Sequence, residues 1–275
     1  MGISEMSNLF DLLFNNITSN QAPGLNEWEK SLFLTEAQDD IIRSHFSPKS
    51  NIVQEGYDDS AGRQTDFSMI TVTKSYSECK WGEQGDTIDS RSRNFLFPDD
   101  SFFVINEVLR FKRYDEEGNP VNNPSERTLQ VRPVSFDRYT EIMQKPYKYP
   151  LKNQAWRLLN RWQSGNTDEL RAEIVLPSDA DVEFYNNIQA QGVDDSADTA
   201  TFLGDYTVRY VRYAYPIILG DFSGYEDYSI RGENTPLDST NDRVCELDPS
   251  IHGEIVQKAV ELAKRVWESQ GNGNK

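Results

Sequence analysis

The sequence predicts an α+β protein, with N-terminal helices, a central and mostly antiparallel β region, and a closing C-terminal α-helix. Three observations predict it. Apolar residues recur at three- and four-residue steps over residues 3–18 and again over 26–45. Between about 67 and 219 they fall instead in short alternating runs rich in Val, Ile, Tyr and Phe, separated by Gly, Pro, Asn and Asp. From 248 to 267 the helical period returns. Helices flanking a run of strands fit an α+β order and not a βαβ alternation.

The first helix, over 3–18, carries Met6, Leu9, Phe10, Leu13, Phe14 and Ile17 on its apolar side. It either docks on its own domain or acts as an arm that offers Leu9, Phe10, Leu13 and Phe14 to a partner. Gln21-Ala22-Pro23-Gly24 breaks the chain, so residues 1–24 read as arm and linker, 25–269 as one α+β domain, and 270–275 as a frayed tail. Asn26 caps a second helix through about His45, with Trp28, Leu32, Phe33, Ala37, Ile41 and Ile42 at helical spacing. Residues 50–65 are polar.

Strands are expected over 67–76, within 95–114 after a turn at Pro98, over Leu129–Val134, over 170–176 and over 206–219. Residues 135–145 suit a short helix. The stretch 152–162 fits either a strand or a helical turn or two. Residues 115–126 and 186–200 are loop candidates, the second acidic. The last helix has the clearest start: Asp248 caps it and Pro249 suits its first turn. Ile251, Ile255, Ala259, Leu262 and Val266 share one face, widened by Val256, Val260, Ala263 and Trp267. Glu254–Lys258 and Glu261–Arg265 are spaced as i,i+4 pairs on the other.

Composition narrows the function. The chain has 275 residues, enough for a substantial core, and a net charge of −17 from 28 basic and 45 acidic side chains. A protein that held nucleic acid through its phosphates would need a basic surface. No run approaches the roughly 18 apolar residues of a membrane span, and the start of the chain lacks the basic region of a secretion signal. Cys79 and Cys245 fit a reducing compartment and neither a disulfide framework nor a zinc spacing.

Motifs for chemistry are sparse. His45 closes the second helix, where the dipole favours it, and His252 opens the last; neither sits in a ligand spacing. Phosphate loops, nucleotide turns and nucleophile elbows have no match. Acidic pairs such as Asp99-Asp100 arise readily in so acidic a chain, and the run Asp194 to Asp198 lacks the pattern of a calcium loop. No cofactor and no metal site are expected. In 206–219, alternation puts Arg209, Val211 and Tyr213 on one face and Tyr210, Arg212 and Ala214 on the other. Arg209, Arg212 and Tyr213 are therefore candidates for contact with a partner, against the plainer reading of an exposed strand with snorkelling stems.

Several blocks taken together carry a family likeness: L-N-E-W-E-K-S-L-F-L-T-E-A-Q-D-D-I-I, E-G-Y-D-D-S-A-G-R-Q-T-D-F, F-P-D-D-S-F-F-V-I-N-E, K-N-Q-A-W-R, V-R-Y-V-R-Y-A-Y-P-I-I-L and C-E-L-D-P-S-I-H-G-E-I-V-Q-K-A-V-E-L-A. In order and content, over about residues 25–265, they resemble virion structural proteins of crAss-like tailed phages of gut Bacteroidales, and more narrowly the ring proteins of the portal vertex. The resemblance implies a non-catalytic head-to-tail connector, made in the host cytoplasm and carried in the virion. It implies a homo-oligomeric ring, of twelve copies, stacked with the portal protein and other ring or tail proteins around the DNA channel. No sequence-specific nucleic-acid binding and no membrane contact are implied, and no catalytic residue is carried over. Two alternatives stand beside it: a peripheral head-fibre or decoration protein, and a tail-associated glycan hydrolase using Asp99, Asp100 and Glu107.

Overall fold

A computed structural model describes residues 1–17, 24–46, 61–77, 88, 92–111, 128–144, 150, 153–164, 167–177, 204–225, 227–238 and 243–272. The expected loops at 115–126 and 186–200, and Cys79, lie outside them. The chain forms two compact units, one of Met1–Thr71 with Tyr213–Lys275 and one of Val72–Arg212.

The first unit is helical. Helix α1 spans Ile3–Ile17, α2 Glu27–Phe46 and α3 Ala61–Asp66; α5, the last helix, spans His252–Asn272 and packs on α1 and α2. The start of α2 is a capping box: Asn26 Oδ1 accepts from Glu29 N at 2.8 Å, and Glu29 Oε2 accepts from Asn26 N at 2.9 Å. Asp248 caps the C-terminal element as expected, accepting from Ser250 N at 2.9 Å, but the first turn is a 3₁₀ segment, Pro249–Ile251. Ile251, Ile255, Val256, Ala259, Val260 and Ala263 are buried. Further along α5, Val266 and Trp267 are exposed, and Lys264 and Glu268 form an i,i+4 ion pair at 3.7 Å.

Helix α2 buries Ala37, Ile41 and Ile42 of its predicted face but not all of it. Leu32 is exposed, while Ser31, Thr35 and Gln38 are buried. The reason is the extended segment Tyr213–Leu219. Ser31 Oγ accepts from Leu219 N at 3.0 Å, Thr35 Oγ1 accepts from Ile217 N at 3.1 Å and lies 3.3 Å from Ile217 O, and Gln38 Nε2 donates to Tyr215 O at 3.0 Å. Positions i, i+4 and i+7 of a helix thus serve the backbone groups that a neighbouring strand would serve in a sheet. The strand expected over 206–219 accordingly stops at Arg212. Beyond it α2 serves Tyr215 O, Ile217 and Leu219 N, while Glu246 accepts from Tyr215 N and Arg231 donates to Ala214 O; Pro216 has no N–H to contribute to a ladder.

His252 is buried beside this arrangement as a structural group. Its Nε2 donates to Leu247 O at 2.9 Å, and Nδ1 lies 2.9 Å from the Met1 amino nitrogen. Burial lowers its pKa. His45 Nδ1 donates to Ile41 O at 2.7 Å, closing the last turn of α2. Burial raises the thiol of Cys245 to about 11, and its Sγ lies 3.4 Å from Gln38 Oε1.

The second unit is a seven-stranded sheet in the order β1-β7-β3-β4-β5-β6-β2. The strands are β1 Thr71–Ser77, β2 Ser92–Leu96, β3 Ser101–Phe111, β4 Thr128–Pro133, β5 Gln154–Ser164, β6 Thr167–Val175 and β7 Gly204–Arg212. The first expected strand is shortened at its start, where Ser68–Ile70 forms a 3₁₀ turn. The ambiguous stretch 152–162 is strand. Between β4 and β5 lies α4, Phe136–Met143, capped by Ser135. This inserted helix makes β4 and β5 parallel, while β2–β6, β3–β4, β3–β7 and β5–β6 are antiparallel. The ring of Phe95 in edge strand β2 packs tilted against Tyr206 of β7, next to the opposite edge, with centres 5.7 Å apart, so the sheet curls around its core. That core holds Phe95, Leu109, Leu129, Val131, Ala172, Ile174 and Val208. Within the unit, Glu107 is 2% exposed; its Oε2 accepts from Tyr206 Oη at 2.6 Å and forms an ion pair with Arg157, whose Nε lies 2.8 Å away. Desolvation raises its pKa against the pull of Arg157.

Candidate interaction surface

The first unit contains an open groove of about 680 Å³. Its apolar lining comes from Phe14 of α1, Leu25 before α2, Leu32 and Phe33 of α2, and Val266 and Trp267 of α5. Leu32 and Trp267 remain 36% and 38% exposed. The local cause follows from the fold. Because α2 turns its hydroxyl and amide positions toward Tyr213–Leu219, its apolar residues Leu32 and Phe33 face elsewhere, and the end of α5 runs beyond the packed part of its own apolar stripe.

A two-residue turn contributes Ile230 and Arg231 to the lining. Ile230 and Glu233 exchange backbone hydrogen bonds at 2.7 and 3.1 Å, and Arg231 and Gly232 between them have φ of 54° and 83°. Both central residues of such a primed turn need positive φ, which glycine adopts freely and arginine does not. Arginine in this conformation costs roughly 1–2 kcal/mol. Its guanidinium pairs with the buried Asp39 of α2, donates to Ala214 O at 3.3 Å and lies 5.4 Å from the ring centre of Tyr213. Desolvation lowers its pKa without bringing it near neutrality.

The predicted contact residues are divided by the structure. Phe10 and Phe14 are buried, their rings 6.0 Å apart, and Leu9 and Leu13 are half-buried, so α1 is in its docked form. Lys30 of α2 holds it there through Asp11 at 2.6 Å. Among the polar side chains that α1 exposes stands one large apolar one, Leu12, at 61%. Arg209 and Arg212 belong to β7 in the second unit, Arg209 exposed and Arg212 half-buried, whereas Tyr213 belongs to the first unit beneath Arg231. The Arg/Tyr stripe is therefore not one strand face. The groove itself escaped sequence reading, because Leu32, Phe33, Val266 and Trp267 carry the same periodic signal as core residues. An indirect signal existed in Ser31, Thr35 and Gln38, a polar stripe at helical spacing on a helix that had to bury something.

The carboxylates of the hydrolase alternative do not converge. Asp99 and Asp100 are exposed before β3, with Asp100 Oδ1 accepting from Tyr210 Oη at 2.8 Å and lying 3.5 Å from Lys74. Glu107 lies seven residues along the strand from Asp100, roughly 20 Å at the usual strand rise, well beyond the roughly 5–10 Å that glycosidase carboxyls span. Among the described residues no group of three or more His, Cys, Asp or Glu is placed to hold a metal ion, and no helix is long and apolar enough to cross a membrane.

Comparison with known proteins matches the whole chain. A family model described as phage tail ring protein 3/4 covers residues 1–275. Ring protein 4/5 of Bacteroides phage crAss001 is 37% identical over 269 residues, spanning 98% of this chain and 94% of the relative. Ring protein 3 of the same phage is 26% identical over 271 residues, spanning 98% of each.

Proposed function

The chain belongs to the phage tail ring protein 3/4 family of crAss-like phages, and from that premise we propose that it is a non-catalytic connector subunit of the portal vertex. In this reading twelve copies form a ring between capsid and tail, stacked with the portal protein and other ring proteins, and genomic DNA passes through the centre during ejection. The observation that carries the proposal is the end-to-end match to ring proteins.

Charge supports it. A conduit has to let the DNA backbone slide, and a chain of net charge −17 has low affinity for phosphate. The groove supports it too, since ring closure needs two different surfaces that meet head to tail. The outer residues of α1, Leu9, Leu12 and Leu13, and the exposed Arg209 of β7 are further contact candidates on this reading.

Electron microscopy of particles carrying a labelled copy of the chain tests the proposal. Twelvefold density at the head–tail junction is the expected result. Label confined to the capsid exterior would make it a decoration protein, and a chain that stays monomeric and is absent from every particle would end the connector reading.

A further inference from the structure

We propose that the groove of the first unit is one half of the copy-to-copy contact in the ring, filled by an apolar segment of a second copy of this chain. The inference rests on the ring-subunit reading and adds which surface closes the ring.

Shape is the first reason. A concave surface cannot fill itself by meeting its own image; it is filled only by a different, convex surface. That is the heterologous contact by which identical subunits close into a ring. Chemistry is the second. Leu32 and Trp267 are exposed and line one recess together with Phe33, and a large apolar patch rimmed by polar groups marks a protein contact. Tryptophan and arginine, here Trp267 and Arg231, are the residue types that anchor such contacts.

Charge narrows the choice of occupant. The lining has three carboxylates, Glu29, Glu36 and Asp39, against two guanidinium groups, Arg43 and Arg231, which leaves a single negative charge. Asp39 and Arg231 already pair with each other. A strongly basic partner finds little to hold there, and nucleic acid finds no excess of cations. Another copy of a chain carrying −17 meets repulsion over most of its surface and least of it where the local charge nearly cancels. The groove is such a place.

Photo-crosslinking in assembled particles tests this. The full chain with Leu32→p-benzoylphenylalanine, and separately Trp267→p-benzoylphenylalanine, is co-produced with unaltered chain so that assembly does not depend on the labelled copies. Irradiated particles are then digested and analysed by mass spectrometry. The expected adduct joins the groove position to a distinct peptide of the same sequence, while the same label at Leu159, exposed in the second unit, does not give that adduct. Labelled chain that enters particles but crosslinks only to another protein, only groove to groove, or at neither position overturns the inference and leaves the ring reading intact. Chain missing from the particles altogether rejects the ring reading, and this inference with it. In a parallel competition against unaltered chain, Trp267→Ser, once shown to be folded, should enter particles at least about tenfold less often, the size expected of a hot-spot residue. Equal incorporation of this variant and Leu159→Ser also counts against the proposal.

Discussion

Replacing Thr35 by valine removes one hydroxyl and almost no volume. Thr35 is 4% exposed, and its Oγ1 serves both backbone groups of Ile217, accepting from N at 3.1 Å and lying 3.3 Å from O. Valine has the same branching, so helix propensity and packing change little. What changes is that a buried N–H and a buried C=O lose their partner together. Each such loss costs about 1–3 kcal/mol, and partial relaxation of the segment puts the pair near 3 kcal/mol. Thr35→Ser provides the contrast: it keeps the hydroxyl and loses one methyl, worth about 1 kcal/mol. Urea unfolding measures the stability change, and amide exchange locates it. At 1.4 kcal/mol per decade, the Ile217 amide of Thr35→Val should exchange roughly a hundredfold faster. Its stability within about 0.5 kcal/mol of the native chain, with Ile217 still protected, would refute the idea that α2 serves this segment as a substitute strand.

Other outcomes follow from the same geometry. Glu107→Gln leaves Arg157 buried without its carboxylate and should cost about 3–5 kcal/mol in urea unfolding, with much of the loss recovered by Glu107→Gln combined with Arg157→Met. Arg231→Gly relieves a positive-φ arginine but isolates Asp39, so the single variant should be less stable by about 2 kcal/mol; adding Asp39→Asn should cost less than the sum of the two changes, and strict additivity would show that the pair is not coupled. His252 has its pKa lowered in the folded state by burial, so the unfolded chain binds the proton more readily and stability falls as pH drops below about 6.5, by at most about 1.4 kcal/mol per pH unit. Melting temperatures from pH 7 to 5 should fall less steeply for His252→Gln, and an unchanged slope would exclude His252 as the source.

Local signals made the helices legible. Asn26 and Asp248 are capping residues in sequence and in structure, and the apolar steps of α1 and of the first half of α5 mark faces that are buried. Most strands were legible too, because β-branched and aromatic runs bounded by turn residues leave few other conformations. Their order in the sheet was not. The pairing of β4 with β5 in parallel depends on α4 lying between them, and the approach of Phe95 to Tyr206 depends on the curl of the whole sheet. The grouping of the expected contact residues was not legible: Arg209 and Tyr213 look like neighbours on one strand until the chain leaves that strand at Arg212.

The end-to-end likeness to ring proteins, the acidic charge and the α+β class all reside in the chain as written, since they depend on residue identity and short-range periodicity. Which face each helix buries does not. The hydrogen bonds from α2 to the 213–219 segment join residues 177 to 188 positions apart, and a periodicity of three or four residues carries no record of a partner so distant. Those bonds hold the polar stripe of α2 inside and leave Leu32 in an open groove, where hydrophobic patterning alone would have put it in the core.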